Sequence, residues 1–246
     1  MGHSPDRCLI NIEKQKQMIT AQIASIPQRV ATLELTVKSL INQVDLLFVA
    51  LNGYDYIPEF LEDNRKIVRI LMDNSLGDAA KFYDVDQRKG YVLTCDDDLI
   101  YPQGYVGYMI NGIKKHKGIV SLLGKVYDRP TYSYRGGYTR IYRALIAVKL
   151  DCEVDVGGTG VMAYHTDDFK ISIDNFPRPN MADLWVAKAA AEQGVKITVL
   201  AHPKRYVSHV KYSHRIWATS TGYDKYQTKI LNSFLVKESQ PENLSK

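Results

Sequence analysis

Apolar residues come in short bursts along the first half of the chain, and polar residues close almost every one. Met18 to Ala24 is an apolar stretch that ends at Ser25-Ile26-Pro27-Gln28-Arg29. Val30, Leu33, Val37, Leu40, Ile41 and Val44 then recur at the spacing of one helical face, which predicts an amphipathic helix. Asp45 to Leu51 reads as a buried strand that stops at Asn52-Gly53, and Ile67 to Leu71 as another, followed by Asp73-Asn74. Ala79 to Asp84 predicts a short helix, and Tyr91 to Cys95 a strand that runs directly into Asp96-Asp97-Asp98. Strand, turn, helix, strand is βαβ grammar and implies parallel strands. Ligands in such sheets bind beyond the carboxyl ends of the strands, so Ser25 to Arg29 and Asn52-Gly53 point to one crevice.

The second half changes character. Lys125 to Tyr142 is rich in Tyr, Arg and Gly and predicts strands and loops, and Arg140 to Leu150 predicts a strand or two. Gly157-Gly158-Thr159-Gly160 reads as a loop before the apolar run Val161 to Tyr164. Met181 to Gln193 is helical in pattern, with Leu184, Val186, Ala187 and Ala190 on its apolar side, Gly194 as its stop, and Val195 to Leu200 as a last strand. The expected class is α/β, with a mixed central sheet flanked by helices. The expected organisation is a polar leader over 1–17, one domain over 18–236 and a polar tail over 237–246.

Bulk composition narrows the partners. The chain has 246 residues, 45% hydrophobic and 24% charged, as for an ordinary globular protein with a substantial core. Its formal net charge of +5 suits anionic ligands or an anionic surface and singles out neither. Nucleic acid is not expected, because no dense basic block with interleaved aromatics occurs; Lys114, Lys115 and Lys117 read as a solvated helix end. Cys8, Cys95 and Cys152 are too scattered for a disulfide framework or a zinc ribbon, which implies a reducing compartment. With no signal-like or membrane-spanning apolar run, the expectation is a cytoplasmic protein, at most peripheral to a membrane or to a partner transferase.

The acidic triplet carries the chemistry. Three adjacent carboxylates repel one another, and a hard divalent cation such as Mn2+ or Mg2+ relieves that repulsion with oxygen ligands. Such a metal also neutralises a diphosphate leaving group. In an extended segment Asp96 and Asp98 point one way and Asp97 the other, so Asp96 and Asp98 share a ligand, with Asp98 nearer the metal. A solvated acidic turn or a calcium loop is the plain alternative.

The ordered pieces Ser25-Ile-Pro-Gln-Arg29, Gln43-Val-Asp45, Leu51-Asn52, Ile57-Pro-Glu59, Asp78-x-x-Lys81-Phe82 and Val92-Leu-Thr-Cys-Asp-Asp-Asp-Leu-Ile-Tyr-Pro102 resemble GT-A glycosyltransferases. Within that fold they resemble the N-acetylglucosaminyltransferases of heparosan capsule synthesis, glycosyltransferase family 45. The resemblance runs from about Ile19 to about Thr221 and is densest before Tyr108. It implies a Rossmann-like nucleotide-sugar half over 18–105, an acceptor half over 106–236, a UDP-sugar donor and a divalent metal at the acidic motif. It also implies transfer of a sugar, N-acetylglucosamine or a related hexose, to a polysaccharide or lipid-linked glycan.

The resemblance assigns roles position by position, each beside a plainer one. Ser25 and Arg29 lie by the nucleotide; the Arg29 fork meets phosphate or uracil oxygens, or else is a surface arginine at a helix start. Asn52 contacts base or ribose, or only shapes the turn with Gly53. Asp78 binds the uracil N–H and Lys81 a phosphate, or the pair is a helix cap with a surface lysine. Asp96 and Asp97 stand at the diphosphate, and Asp98 ligates the metal. Asp183 acts at the acceptor, as general base in an inverting enzyme or as an orienting or charge-stabilising group in a retaining one; otherwise it is a favourable first-turn acid. His209 is the expected further metal ligand among His202, His209 and His214, with His165 a weaker candidate. Lys211, Arg215 and Trp217 form a lid over the diphosphate. The Gly157–Gly160 glycines let backbone approach a ligand. Independently of the resemblance, the tyrosines of Tyr127 to Tyr142 offer flat faces to a saccharide, or belong to an ordinary β-rich subdomain.

Two rivals remain. A sugar nucleotidyltransferase shares the acidic metal site but usually carries a glycine-rich first loop, and Ser25 to Arg29 contains no glycine. A nucleotide-sugar or glycan-binding module without catalysis has no need of an intact triplet.

Overall fold

The structure is a computed structural model that describes residues 17–210 and 223–235. The leader to residue 16, the tail after residue 235, His214, and the lid residues Lys211, Arg215 and Trp217 lie outside the described residues. In chain order the strands are β1 (Ile19–Ser25), β2 (Leu46–Asn52), β3 (Ile67–Met72), β4 (Tyr91–Asp96), β5 (Leu99–Ile100), β6 (Ile119–Ser121), β7 (Gly124–Tyr127), β8 (Tyr138–Tyr142), β9 (Cys152–Val154), β10 (Val156–Gly157), β11 (Val161–His165), β12 (Ile197–Val199) and β13 (Ser208–His209). The helices are α1 (Val30–Leu40), α2 (Tyr105–His116), α3 (Ala182–Glu192) and α4 (Asp224–Phe234).

Eight strands form one mixed sheet in the order β3-β2-β1-β4-β11-β6-β12-β9. β3, β2, β1 and β4 are parallel, and β11 runs antiparallel between β4 and β6. The chain leaves β1 for β2 and β3 on one side, then crosses back to β4 on the other. The carboxyl ends of β1 and β4 are therefore a topological switch point, where an open α/β sheet has its crevice.

Period-two alternation sends each strand's side chains into two cores. Ala21, Ile23, Leu93 and Cys95 pack with Leu33 and Val37 of α1 and Met109 and Ile113 of α2. Val92, Met162 and Tyr164 pack on the other face with Leu184, Val186 and Ala190 of α3 and Leu231 of α4. Each fully buried large apolar side chain contributes about 1.5–3 kcal/mol, so both helix layers are held mainly by these stripes. Among the described residues no helix is long and apolar enough to cross a membrane.

Several sequence expectations need correction. The short helix over Ala79 to Asp84 is instead 3-10 structure over Asn74–Phe82, broken at Gly77 with φ +53°, and Asp84 is left-handed. Period-3.6 reading fails there because 3-10 turns place side chains three residues apart. The strand reading of Arg140 to Leu150 holds only to Tyr142; beyond it only Val148 pairs, as a single bridge to His202. Gly157 is not loop but part of β10, paired with Gly124. Helices α2 and α4 were not singled out by periodicity. Tyr127 and Tyr134 do not line a saccharide groove: both are buried and stack at 6.0 Å between centroids.

Candidate functional site

β4 ends at Asp96, and Asp97-Asp98 turn the chain into β5. The strand over which alternation is expected therefore stops two residues early. Asp97 turns inward, where its Oδ1 accepts from Arg29 Nη1 at 2.7 Å, and the same nitrogen lies 3.2 Å from Asp98 Oδ2. Asp96 Oδ1 is 2.5 Å from Lys81 Nζ. The side chains of Asp96, Asp97 and Asp98 are 45%, 4% and 20% exposed, whereas those of Arg29 and Lys81 are 10% and 4% exposed. Both cations thus sit behind the triplet, and Asp96 and Asp98 face solvent.

Electrostatics follows from this layering. Three carboxylates meet two cations. Burial pushes Asp97 up to about 6, although the Arg29 guanidinium and the Ser25 hydroxyl pull it down. Asp96 is held below the ordinary carboxylate range: burial opposes this, but the Lys81 ammonium, Arg29 and His209 outweigh it. Burial, then the negative charge of Asp96, raise Asp98. Despite burial, which lowers both cations, Asp97 keeps Arg29 above its usual value and Asp96 does the same for Lys81. Burial pushes the neighbouring Cys95 thiol up to about 12, so it is no nucleophile at neutral pH.

The segment before β11 ties the triplet to the start of α3. A Cβ on Gly160 would lie 2.0 Å from Asp96 Oδ2, so only glycine allows this approach. Tyr101 Oη donates to Gly160 O at 2.6 Å and accepts from the Asp96 N–H at 2.8 Å. One residue earlier, the Thr159 N–H and hydroxyl both donate to Asp183 Oδ1, at 2.8 and 2.7 Å. Asp183 Oδ2 has no hydrogen-bond partner among the described residues. The close approach foreseen for these glycines is thus made to a carboxylate.

The remaining expected residues lie around this core at different depths. Ser25 is buried, its Oγ 3.3 Å from Tyr54 Oη. The Asn52 amide donates to Gly77 O at 2.8 Å, and Gly53 has φ +71°, so the turn reading and the site position coexist. Arg29 is not a surface arginine, and Lys81 is not a surface lysine. Asp78 lies beneath the site, where its Oδ2 accepts the N–H of Ala182, the first residue of α3, at 3.0 Å. His165 faces Tyr91 at the opposite end of β4, and His202 is buried with its ring on Leu200 O. His165 is thus at the far end of the strand from the triplet. The sequence reading missed Tyr101 and Tyr54; Tyr101 sits in the Leu-Ile-Tyr-Pro run directly after the triplet, which was the available signal.

Burial pushes Asp78 up to about 6, against an ordinary value near 3.8. The folded state therefore favours its protonated form. The stabilisation this brings is fully present below about pH 4 and is lost as pH rises through about 6. Asp78→Asn keeps an acceptor for Ala182 and removes the buried charge. It is expected to gain on the order of 2 kcal/mol over the parent at pH 8 and almost nothing at pH 4. Urea unfolding at both pH values checks this; a gain confined to acid pH would contradict it.

β13 pairs with β5 so that His209 stands opposite Leu99, and the Val210 N–H donates to Asp98 O at 2.9 Å. The ladder thus brings His209 beside Asp98, and its charge acts on both Asp98 and Asp96. No cluster of three or more His, Cys, Asp or Glu side chains positioned for a metal occurs among the described residues. A hard cation such as Mg2+ is commonly held by one or two carboxylates, with phosphate oxygens and water completing the shell. The solvent-facing carboxylates of Asp96 and Asp98 fit that kind of partner.

No family model matches the chain, and no curated protein matches it. Among solved structures it is similar to a nucleotidyl transferase from Methanothermobacter thermautotroptrophicus (Mth528), at 13% sequence identity and a TM-score of 0.49, over 86% of this chain and 98% of that one. A likeness this slight says nothing about the reaction.

Proposed function

We propose that this chain is a glycosyltransferase that moves a sugar, N-acetylglucosamine or a related hexose, from a UDP-sugar to a polysaccharide or lipid-linked glycan in surface polysaccharide synthesis. The observation that carries the reading is the acidic triplet at the β1/β4 switch point, with its cations buried behind it and its open carboxylates facing the crevice. The ordered motifs that resemble glycosyltransferase family 45 support it from the sequence. A divalent cation, Mn2+ or Mg2+, would be held by Asp98 with His209 and would neutralise the departing diphosphate.

The chain's own residues divide the remaining work. Lys81 fixes Asp96, and Arg29 fixes Asp97 and Asp98, so the carboxylates are oriented before any ligand arrives. Asp183 is held through one oxygen by Thr159, and its second oxygen is available to an acceptor hydroxyl or to charge at the anomeric carbon. Ser25 and Asn52 close the nucleotide end of the crevice.

The test is a panel of UDP-, GDP-, CMP- and dTDP-sugars, with Mn2+ or with chelator, read by thermal shift and nucleotide release. Metal-dependent stabilisation by one UDP-sugar, with slow release of UDP, is expected. No response to any nucleotide sugar by the folded protein would leave the binding-module reading in its place.

A further inference from the structure

Three segments, none of them carrying a residue of the acidic triplet, meet on one surface: the last turns of α2, residues 143–151 and residues 201–206. Asp151 stitches them, taking Lys115 at 2.6 Å and His116 at 2.8 Å and accepting the Ala201 N–H at 2.8 Å. Val148 and His202 exchange both backbone hydrogen bonds, and the Arg205 N–H donates to Leu145 O at 3.1 Å. The surface is therefore built by the fold rather than by loose loops.

Two aliphatic side chains project from it, Ile146 at 53% and Leu150 at 74% exposed. The same three segments carry Lys114, Lys117, Lys149, Lys204 and Arg205, all exposed and with no side-chain hydrogen bond or ion pair among the described residues. The only carboxylate in the three segments is Asp151, already taken by Lys115 and His116.

We propose that this face docks the protein on an anionic lipid surface, with Ile146 and Leu150 entering the interface and the ring of cations meeting the headgroups. Aliphatic tips ringed by long basic side chains match both parts of such a surface, since the stems lie along the apolar boundary while the charges reach phosphate. A protein partner fits less well, because lysine is depleted in protein–protein interfaces. A nucleic acid fits less well, because the projecting side chains are aliphatic and offer no stacking platform. Chain connectivity sets the docked face beside the crevice: Arg205 lies shortly before β13, whose His209 stands opposite Leu99. The inference does not depend on the proposed transfer, because its test reads binding alone.

The experiment is flotation of the full chain with phosphatidylcholine vesicles, with and without phosphatidylglycerol, across a salt series. Binding is expected only with the anionic lipid and should weaken as salt rises. The Lys149→Glu, Lys204→Glu, Arg205→Glu triple variant should lower partitioning roughly tenfold or more. Ile146→Asp with Leu150→Asp should lower it by roughly the same factor, and Leu150→Glu alone should lower it measurably should the double variant unfold. Absence of wild-type binding to anionic vesicles would overturn the proposal. Unchanged binding by the folded apolar variants would overturn it too, because it would leave a charge-only surface for soluble polyanions; a heparin arm identifies that case.

Discussion

Asp98→Asn is expected to lower sugar transfer by on the order of a thousandfold, with the unfolding temperature almost unchanged. The two halves of this expectation come from separate observations. Asp98 is partly exposed, held at 3.2 Å by Arg29, and the β5–β13 pairing brings His209 beside it. Under the proposed function, removing the Asp98 charge takes away the ligand of the divalent cation that would neutralise the diphosphate. Arg29, however, keeps its shorter contact to Asp97, so no buried guanidinium is stranded. Asp97→Asn should behave in the opposite way: it strips the 2.7 Å partner from a buried arginine and should cost stability first. Measuring turnover and thermal unfolding for both variants separates the roles. A fully active Asp98→Asn would remove Asp98 from the proposed site.

Gly160→Ala is the second large effect. The added methyl would lie 2.0 Å from Asp96 Oδ2 and 2.3 Å from its Cγ, so the Asp96 carboxylate must leave its place against Lys81. Gly160 also holds Tyr101 through its carbonyl, and Thr159 next to it holds Asp183. One methyl therefore disturbs both ends of the site. Turnover should fall roughly a hundredfold or more, as for other displacements near 1 Å at a reacting centre. Stability should fall by about 1–3 kcal/mol from overpacking. Gly107→Ala is the control: a Cβ there meets nothing within 4 Å, and the helical position should gain about 0.5–1 kcal/mol with turnover unchanged. Wild-type turnover in Gly160→Ala would contradict the coupling of Asp96 and Asp183 through this segment.

The front of the fold was legible because its strands are short, apolar and closed by polar residues, and because α1 shows its buried stripe at Leu33, Val37 and Leu40. The triplet was legible because like charges at a strand end are costly without a partner. What the sequence hid was the partner on each side. Arg29 and Lys81 are distant from Asp97 and Asp96 in the chain; the parallel pairing of β1 with β4, and the packing of the 3-10 segment Asn74–Phe82 on both, bring them together. Arg29 reads as a partner of phosphate or uracil oxygens and Lys81 of a phosphate, and the fold seats both against carboxylates. Asp183 could be placed at a helix start by pattern, but its link to the triplet runs through Thr159 and Gly160, which pattern reads as a loop where backbone approaches a ligand. Helix α2 escaped because Tyr105, Tyr108 and Gly107 blur its stripe, although Val106, Met109, Ile110 and Ile113 are buried. The basic turn at its end read as solvated; the neighbouring exposure of Ile146 and Leu150, which changes its meaning, exists only in three dimensions.

The most direct measurement is a crystal of the full chain soaked with Mn2+ and UDP, with anomalous scattering recorded at the manganese edge. The expected result is a single strong peak at ligand distance from the Asp98 carboxylate, with the diphosphate beside it in the β1/β4 crevice. Nucleotide bound elsewhere, or manganese remote from Asp98 with the triplet still paired only to Arg29 and Lys81, would contradict the assignment of this crevice as the donor site.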